Sequence, residues 1–282
     1  MRKILVTGGS GYLGSVLTPI FKKRFERVAV LDVKSPHLPS IEWFCLDIRR
    51  SSDVAELIRD FDAVVHLAAI VGDKNCDENP KEAVEINYLA TKGLAELARN
   101  LDKKLLFAST CSIYGIKEGI NSESSEPYPI SLYALTKTKA EEEVLKNGGV
   151  SLRMGTLYGY SPSMRFDLVI NDFIRKAANK EKILIFGGKQ MRPFLYIKNA
   201  AKTFLISLEK NVKGAFNIAD QNFSILEMGQ KISKKLKADL EIIEEIQDKR
   251  SYTISTKKAQ KDLGFKPGNY LNQSIIEICQ HL

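Results

Sequence analysis

Short, uninterrupted apolar runs alternate with segments of helical spacing through the first half of the chain. Lys3 to Val6 is one such run and ends in glycines, after which Tyr12 to Phe25 repeats its apolar residues at helical intervals. Arg27 to Leu31 is strand-like and closes on Asp32, and Glu42 to Leu46 stops just before Asp47. Asp53 to Ile58 predicts a helix, Ala63 to Leu67 a buried strand, and Pro80 to Arg99 a long helix with proline in its first turn. Leu105 to Ser109 predicts a strand, Tyr133 to Leu145 a helix closed by Gly148-Gly149, and Val150 to Met154 a further strand.

Strands that alternate with helices point to an α/β fold with a doubly wound parallel sheet. The runs are continuous rather than alternating, as strands buried on both faces require. After about Tyr158 the rhythm loosens. Phe166 to Ala178, Ile197 to Leu208, Ser224 to Leu236 and Asn272 to Cys279 read as helices; Ile183 to Phe186 and Ala215 to Ile218 read as extended, and the tail also holds the segment Leu240 to Ile246. The expected division is a domain over residues 1–158 and a smaller α/β lobe over 159–282, with about 197–220 returning to the first.

At 282 residues the chain can bury a substantial core unaided, and 44% hydrophobic with 27% charged residues is ordinary for a globular protein. Net charge is +8, and residues 171–220 carry 10 Lys and Arg against 4 Asp and Glu. That surplus reads as a solvated face or as a site for a phosphorylated substrate; no basic motif interleaved with aromatics indicates nucleic acid. Four scattered cysteines and three dispersed histidines lack metal-ligand spacing, so no metal is expected. The glycines beginning at Gly8 leave no room for a signal peptide, and the longest apolar run, near Ala63 to Val71, is too short to span a bilayer. A cytoplasmic protein without a membrane partner is expected.

Gly8, Gly11 and Gly14 follow the first strand and open the first helix. Such a loop lets backbone approach a pyrophosphate at the positive end of a helix. Asp32, ending the next strand, suits the two hydroxyls of an adenosine ribose and would repel a 2′-phosphate, which favours NAD over NADP. Asp47 could accept from the adenine amino group or cap the helix that follows.

A Tyr with a Lys four residues later occurs twice, at Tyr88/Lys92 and Tyr133/Lys137. Only the second pair opens a helix that follows a strand ending in Ser109-Thr110, the edge where ligands bind in such sheets. A lysine one turn from a tyrosine favours the phenolate, and a hydroxyl from Thr110 or Ser109 can bond the reacting oxygen.

On these residues the chain resembles the extended short-chain dehydrogenase/reductases of the NAD-dependent sugar-nucleotide epimerase/dehydratase family. The resemblance rests on TGGSGYLG (Thr7 to Gly14), Asp32, HLAA (His66 to Ala69), EINYLAT around Asn87, FASTCSIYG (Phe107 to Gly115) and YALTK (Tyr133 to Lys137). It continues through LRMGTLYG (Leu152 to Gly159), RPFLYIKNAA (Arg192 to Ala201) and RSYTISTKKAQKDLGFKP (Arg250 to Pro267). It implies a Rossmann-type fold with Thr110, Tyr133 and Lys137 catalytic. Tyr12, Leu13, Ile48, Leu67, Ala68, Ala69, Asn87, Ser109 and Met154 would join the glycines, Asp32, Asp47, Tyr133 and Lys137 around NAD. Thr110, Cys111, Thr156, Asp167, Leu168, Leu184 and Phe186 would face a nucleotide-diphosphate sugar, with Arg192 and Arg250 at its diphosphate. A homodimer through the helices at 80–99 and 133–145 is also implied.

The family's dehydratases carry an Asp-Glu pair where Cys111-Ser112 stand, so elimination of water is disfavoured. Cys111 lacks a histidine suited to a proton shuttle and reads more simply as a small buried residue. The expected reaction is epimerisation at C4 of a UDP-sugar, glucose and galactose first. A reductase or dehydrogenase, a 3,5-epimerase and an NAD-binding regulatory protein are the alternatives. Thr156 stands where related glucose 4-epimerases often have Asn.

Overall fold

The computed structural model describes residues 2–282. The first half runs β1 (Lys3–Thr7), α1 (Gly14–Lys22), β2 (Arg27–Asp32), β3 (Glu42–Cys45), α2 (Ser51–Ile58) and β4 (Ala63–His66). It continues with α3 (Asp73–Glu78), α4 (Pro80–Ala83), a π-helical stretch (Val84–Ala90), α5 (Thr91–Asn100), β5 (Lys104–Thr110), β6 (Ile116–Asn121), α6 (Leu132–Lys146) and β7 (Val150–Met154). The second half holds β8 (Thr156–Tyr158), α7 (Val169–Ala178), β9 (Ile183–Phe186), β10 (Met191–Tyr196), α8 (Ile197–Glu209), β11 (Gly214–Ile218) and β12 (Gln221–Ser224). It closes with α9 (Ile225–Leu236), β13 (Leu240–Ile243), β14 (Ser251–Ile254) and α10 (Leu271–Cys279).

Seven strands form one sheet in the order β11-β7-β5-β4-β1-β2-β3, and every pair in it is parallel. The strand order reverses between β1 and β4, which opens a crevice at the carboxyl edge of the sheet. Central strands are buried throughout: Ile4, Leu5, Val6, Val64, Val65, Leu106 and Phe107 have no exposed surface. Two apolar layers flank the sheet, one holding Leu17, Phe21 and Phe204, the other Ile58, Phe61 and Val144. Three small sheets complete the fold: β12-β10-β8 and β13-β9 within the second half, and β14-β6, which joins the second half to the first. β11 is the strand that returns to the large sheet, beside β7.

The helix predicted from Pro80 is present, but its path widens into a π-helical stretch at Val84–Ala90. Such insertions cluster at functional sites, and this one carries the fully buried Asn87. Five short strands escape the hydrophobic pattern. β10 contains Pro193, which reads as a strand breaker, and β6 is exposed at most positions. Among the described residues, no helix is long and apolar enough to cross a membrane.

Candidate active site

The glycine loop joins β1 to α1 beneath the crevice. Gly8 sits at φ +70°, and a Cβ there would lie 2.5 Å from the Ala68 backbone nitrogen. Only glycine lets the loop lie this close to Leu67-Ala68-Ala69, the segment leaving β4. Gly14 is equally constrained, with a virtual Cβ 2.5 Å from Gly9. Gly11, by contrast, has only the Gly8 carbonyl within reach of a Cβ, so the loop's outer side is open. Tyr12 and Leu13 lead into the first turn of α1, whose early N–H groups are those a helix leaves for a ligand.

Asp32 stands at the rim of this loop. Its Oδ2 accepts from the Ser10 N–H at 3.0 Å and its Oδ1 from the Lys34 N–H at 3.0 Å. The carboxylate is thereby fixed in place, and each oxygen keeps lone-pair capacity for a ribose hydroxyl. Asp47 forms a turn with Arg49, whose N–H donates to it at 2.9 Å and whose guanidinium also holds it, so its carboxyl lies below the usual range. Ile48 backs an open groove of about 330 Å³ that Arg49, Leu89 and Leu97 also line.

Asn87 anchors the segment after β4. Its side chain accepts from the Ile70 N–H at 2.8 Å and donates to the Ile70 carbonyl at 2.9 Å and to Thr136 Oγ1 at 3.3 Å. It therefore acts from behind the crevice rather than in it. His66 is fully buried between the hydroxyls of Thr7 (2.6 Å) and Thr91 (2.8 Å). Burial, with help from the nearby Lys137 charge, pushes its pKa down to about 3. A histidine that binds a proton unfolded but not folded makes stability fall as pH drops from about 6.5 toward 3. Unfolding free energies from urea titrations between pH 7 and pH 4 should decline, by about 2 kcal/mol from this residue near pH 5. His66→Asn should flatten that decline; an unchanged profile would reject the assignment.

Tyr133 and Lys137 enter from α6. Ser131 caps that helix, its Oγ accepting from the Ala134 N–H at 3.2 Å while donating to Asp73 Oδ1 at 2.7 Å. The tyrosine is thus held in the first turn, one turn before the lysine. Burial raises the Tyr133 pKa to about 12, against which the Arg165 charge and the Thr110 hydroxyl both act. Lys137 is 2% exposed, and its ammonium lies 3.9 Å from the centre of the Phe107 ring. Burial lowers its pKa to about 7, with Glu141 and Cys76 opposing. Thr110 Oγ1 accepts from the Ser112 N–H at 3.1 Å, and Met154 pairs with Thr110 across the sheet end. Ser109 Oγ is buried and has no hydrogen-bond partner among the described residues. An orphaned hydroxyl, a glycine cradle open on one side and a fixed carboxylate at its rim fit a bound dinucleotide.

Arg192 and Arg250, widely separated in sequence, meet on one carboxylate. Asp248 lies 2.9 Å from Arg192 Nη2 and 2.6 Å from Arg250 Nη2. Burial would raise its pKa, but the two guanidiniums hold it far below the carboxylate range. Arg250 also reaches Asp73 at 3.0 Å and Ser112 Oγ at 3.2 Å, so it spans from the second half to α3 and the end of β5. Two guanidiniums gathered on one anion make a site suited to diphosphate. Leu184 and Phe186 share the partly exposed face of β9, while Ile183 and Ile185 face the core. Asp167 is exposed and paired with Arg165, Leu168 immediately precedes α7, and Thr156 begins β8.

Cys111 is the small buried residue its surroundings in sequence suggest, and it does not take the sugar-facing place that the resemblance implies. It is fully buried, its thiol donates to the Arg153 carbonyl at 3.1 Å, and burial holds its pKa far above the thiol range. It packs with Ile113, Tyr114, Tyr252 and Ile254 instead of facing a sugar. Asp73, Arg165 and Asp248 are the residues that sequence reading missed. Arg165 lies two residues before Asp167 and Asp248 two before Arg250, so proximity to an expected site residue was the available signal.

Residues 4–219 match the model of the NAD dependent epimerase/dehydratase family. The chain is 30% identical to the UDP-N-acetyl-alpha-D-glucosaminuronate decarboxylase of Bacillus cytotoxicus over 272 residues, covering 86% of this chain and 83% of that one. It is 34% identical to a putative UDP-glucose 4-epimerase of Methanocaldococcus jannaschii over 224 residues, 73% of each chain. The UDP-glucuronic acid 4-epimerase of Bacillus cereus, solved with UDP-glucuronic acid and NAD, superposes with a TM-score of 0.87 at 28% identity, over 99% of this chain and 98% of that one.

Proposed function

The chain belongs to the NAD-dependent epimerase/dehydratase family, and we propose that it epimerises a UDP-sugar at C4. The observation that carries this reading is Tyr133 and Lys137, one turn apart on α6, with the Thr110 hydroxyl acting on the phenol.

NAD, when bound on the glycine loop and Asp32, supplies a hydride acceptor and donor. The protein's part is proton movement and orientation. Lys137 favours the phenolate of Tyr133, whose Oη then takes the proton of the 4-hydroxyl as hydride leaves C4. Thr110 bonds the same oxygen. Arg192 and Arg250 grip the diphosphate, releasing Asp248, and Leu184 with Phe186 supports the base. The sugar turns about its link to the anchored diphosphate, and Tyr133 returns the proton on the other face. The segment after Thr110 reads Cys111-Ser112-Ile113 and offers no carboxylate for elimination.

Arg165 favours a second reading of the sugar. It is cationic, 24% exposed, and close enough to Tyr133 to lower its pKa. A hexuronate carries its carboxylate on C5, next to the reacting carbon, where such a guanidinium would pair with it. Oxidation at C4 makes that acid a β-keto acid, prone to lose CO2. A UDP-hexuronate pair therefore competes with UDP-glucose and UDP-galactose.

NMR of the protein with NAD and a panel of UDP-hexoses and UDP-hexuronates tests both. Inversion at C4 without net NADH supports epimerisation, and the panel member inverted identifies the sugar. Pentose with CO2 would replace the reading with decarboxylation; net NADH would replace it with a dehydrogenase.

A homodimer belongs to the same proposal. Leu89 and Leu135, 51% and 45% exposed, lie on the packed helical layer of the first half. Leu135→Glu should shift the protein from dimer to monomer in sedimentation; an unchanged state would exclude this face.

A further inference from the structure

The glycine loop and the segment that follows β8 are hydrogen-bonded to one another far more densely than their separation in sequence suggests. Tyr12 Oη donates to the Gly159 carbonyl at 2.6 Å. Asn171, fully buried, donates from Nδ2 to Tyr12 Oη at 2.9 Å and to the Arg165 carbonyl at 3.0 Å, and accepts from the Gly159 N–H at 3.0 Å. Ser161 Oγ donates to the Tyr12 carbonyl at 2.7 Å, and Ser163 Oγ donates to the Ser10 carbonyl at 2.7 Å. Gly159 itself is wedged: it has φ +118°, and a Cβ there would lie 2.8 Å from the Tyr196 ring. The turn cannot slide away from Tyr12 without breaking this set.

The two ends of the network point to different ligands. One end is the backbone of Ser10 and Tyr12, inside the phosphate loop. The other is the carbonyl of Arg165, and Arg165 holds Asp167 and acts on Tyr133. Buried polar groups joined in this way move together, because breaking one bond leaves an unpaired buried partner. Tyr12 is 7% exposed; its phenol stays neutral and both donates and accepts.

We infer that Tyr12 and Asn171 are positioning residues that couple the two sites, so that NAD on the glycine loop raises affinity for the uridine nucleotide held beyond residue 159. The inference rests on the proposed function for the identity of the two ligands. Tyr12→Phe keeps the ring and deletes only the bridging hydroxyl. Asn171 then still bonds the Gly159 N–H and the Arg165 carbonyl, so the fold survives while the link to the loop is lost.

The experiment is a calorimetric titration of the full chain with UDP, without NAD and with saturating NAD. Wild type should show UDP binding at least about 5-fold tighter with NAD, a size typical of coupled sites. In Tyr12→Phe that ratio should fall toward one. Ser163→Ala, which removes a half-buried contact to the same loop, should lower it partway. A purely structural role predicts otherwise: melting temperature and both affinities would fall together with the ratio unchanged. That result, or a wild-type ratio of one, overturns the inference alone. UDP that fails to bind NAD-saturated wild type overturns the proposed function together with the coupling built on it.

Discussion

Tyr133→Phe removes turnover, by about 10²–10⁴-fold, while the protein stays folded and still binds NAD. The ring itself is kept, so stability changes little; what disappears is the one oxygen placed to move the sugar's proton. The size follows from proton transfer, because a positioned acid–base group contributes on that scale and Thr110 offers only a hydrogen bond. Initial rates on the sugar identified by NMR, with NAD binding measured in parallel, check this. Retained turnover would shift proton transfer to another group. Lys137→Met should also lower turnover, since it removes the cation one turn from the phenol on the same helix and leaves only the Arg165 charge to favour phenolate.

Arg153→Met should cost about 3–5 kcal/mol of stability. Arg153 and Glu141 are 6% and 3% exposed, and form two bonds, Nη2 to Oε1 at 2.7 Å and Nε to Oε1 at 2.9 Å. Ser151 Oγ donates to the other carboxylate oxygen at 2.6 Å, and Arg153 donates to Tyr114 Oη at 2.8 Å. Removing the guanidinium strands a buried carboxylate whose remaining partner is a hydroxyl. Arg153→Met with Glu141→Gln should recover much of the loss, since no charge is then left uncompensated. Urea unfolding of the single and double variants checks this; a single-variant cost below about 1 kcal/mol would mean the pair is solvated in practice. Glu141 lies one turn beyond Lys137 on α6 and Arg153 on β7, so the same variant also loosens the contact of β7 with the helix that presents Tyr133.

The large sheet was legible because its strands are continuous apolar runs that stop at chemistry. Val6-Thr7, Leu31-Asp32 and Ala108-Ser109 each mark a strand end by a change from apolar to polar side chains. The motif residues were legible for the same reason: each lies within a few positions of such an end. The β14-β6 sheet was not, because IKEGIN over Ile116–Asn121 faces solvent at most positions and leaves no periodic trace. Neither was the gathering of Arg192, Arg250, Asp248 and Asp73, which come from three segments meeting only after folding. Asp248 is an ordinary acidic loop residue until two arginines close on it. The sugar-facing place that the resemblance implies for Cys111 fails for a subtler reason, while its reading as a small buried residue agrees with the structure. Cys111 sits in the short 3₁₀ turn after β5, where one residue of rotation decides between crevice and core.

The pairing of β11 with β7 also governs how the chain is made. β7 is buried on both faces, and until residues 214–218 arrive its outer edge carries unpaired backbone groups. Some sixty residues must leave the ribosome after β7 before that edge is covered. Nascent chains paused in this interval expose a sticky, β-rich border, the condition in which misassembly competes with folding. A fragment ended at residue 158 would hold that border permanently, and would behave as an arrested intermediate, prone to self-association and dependent on chaperones.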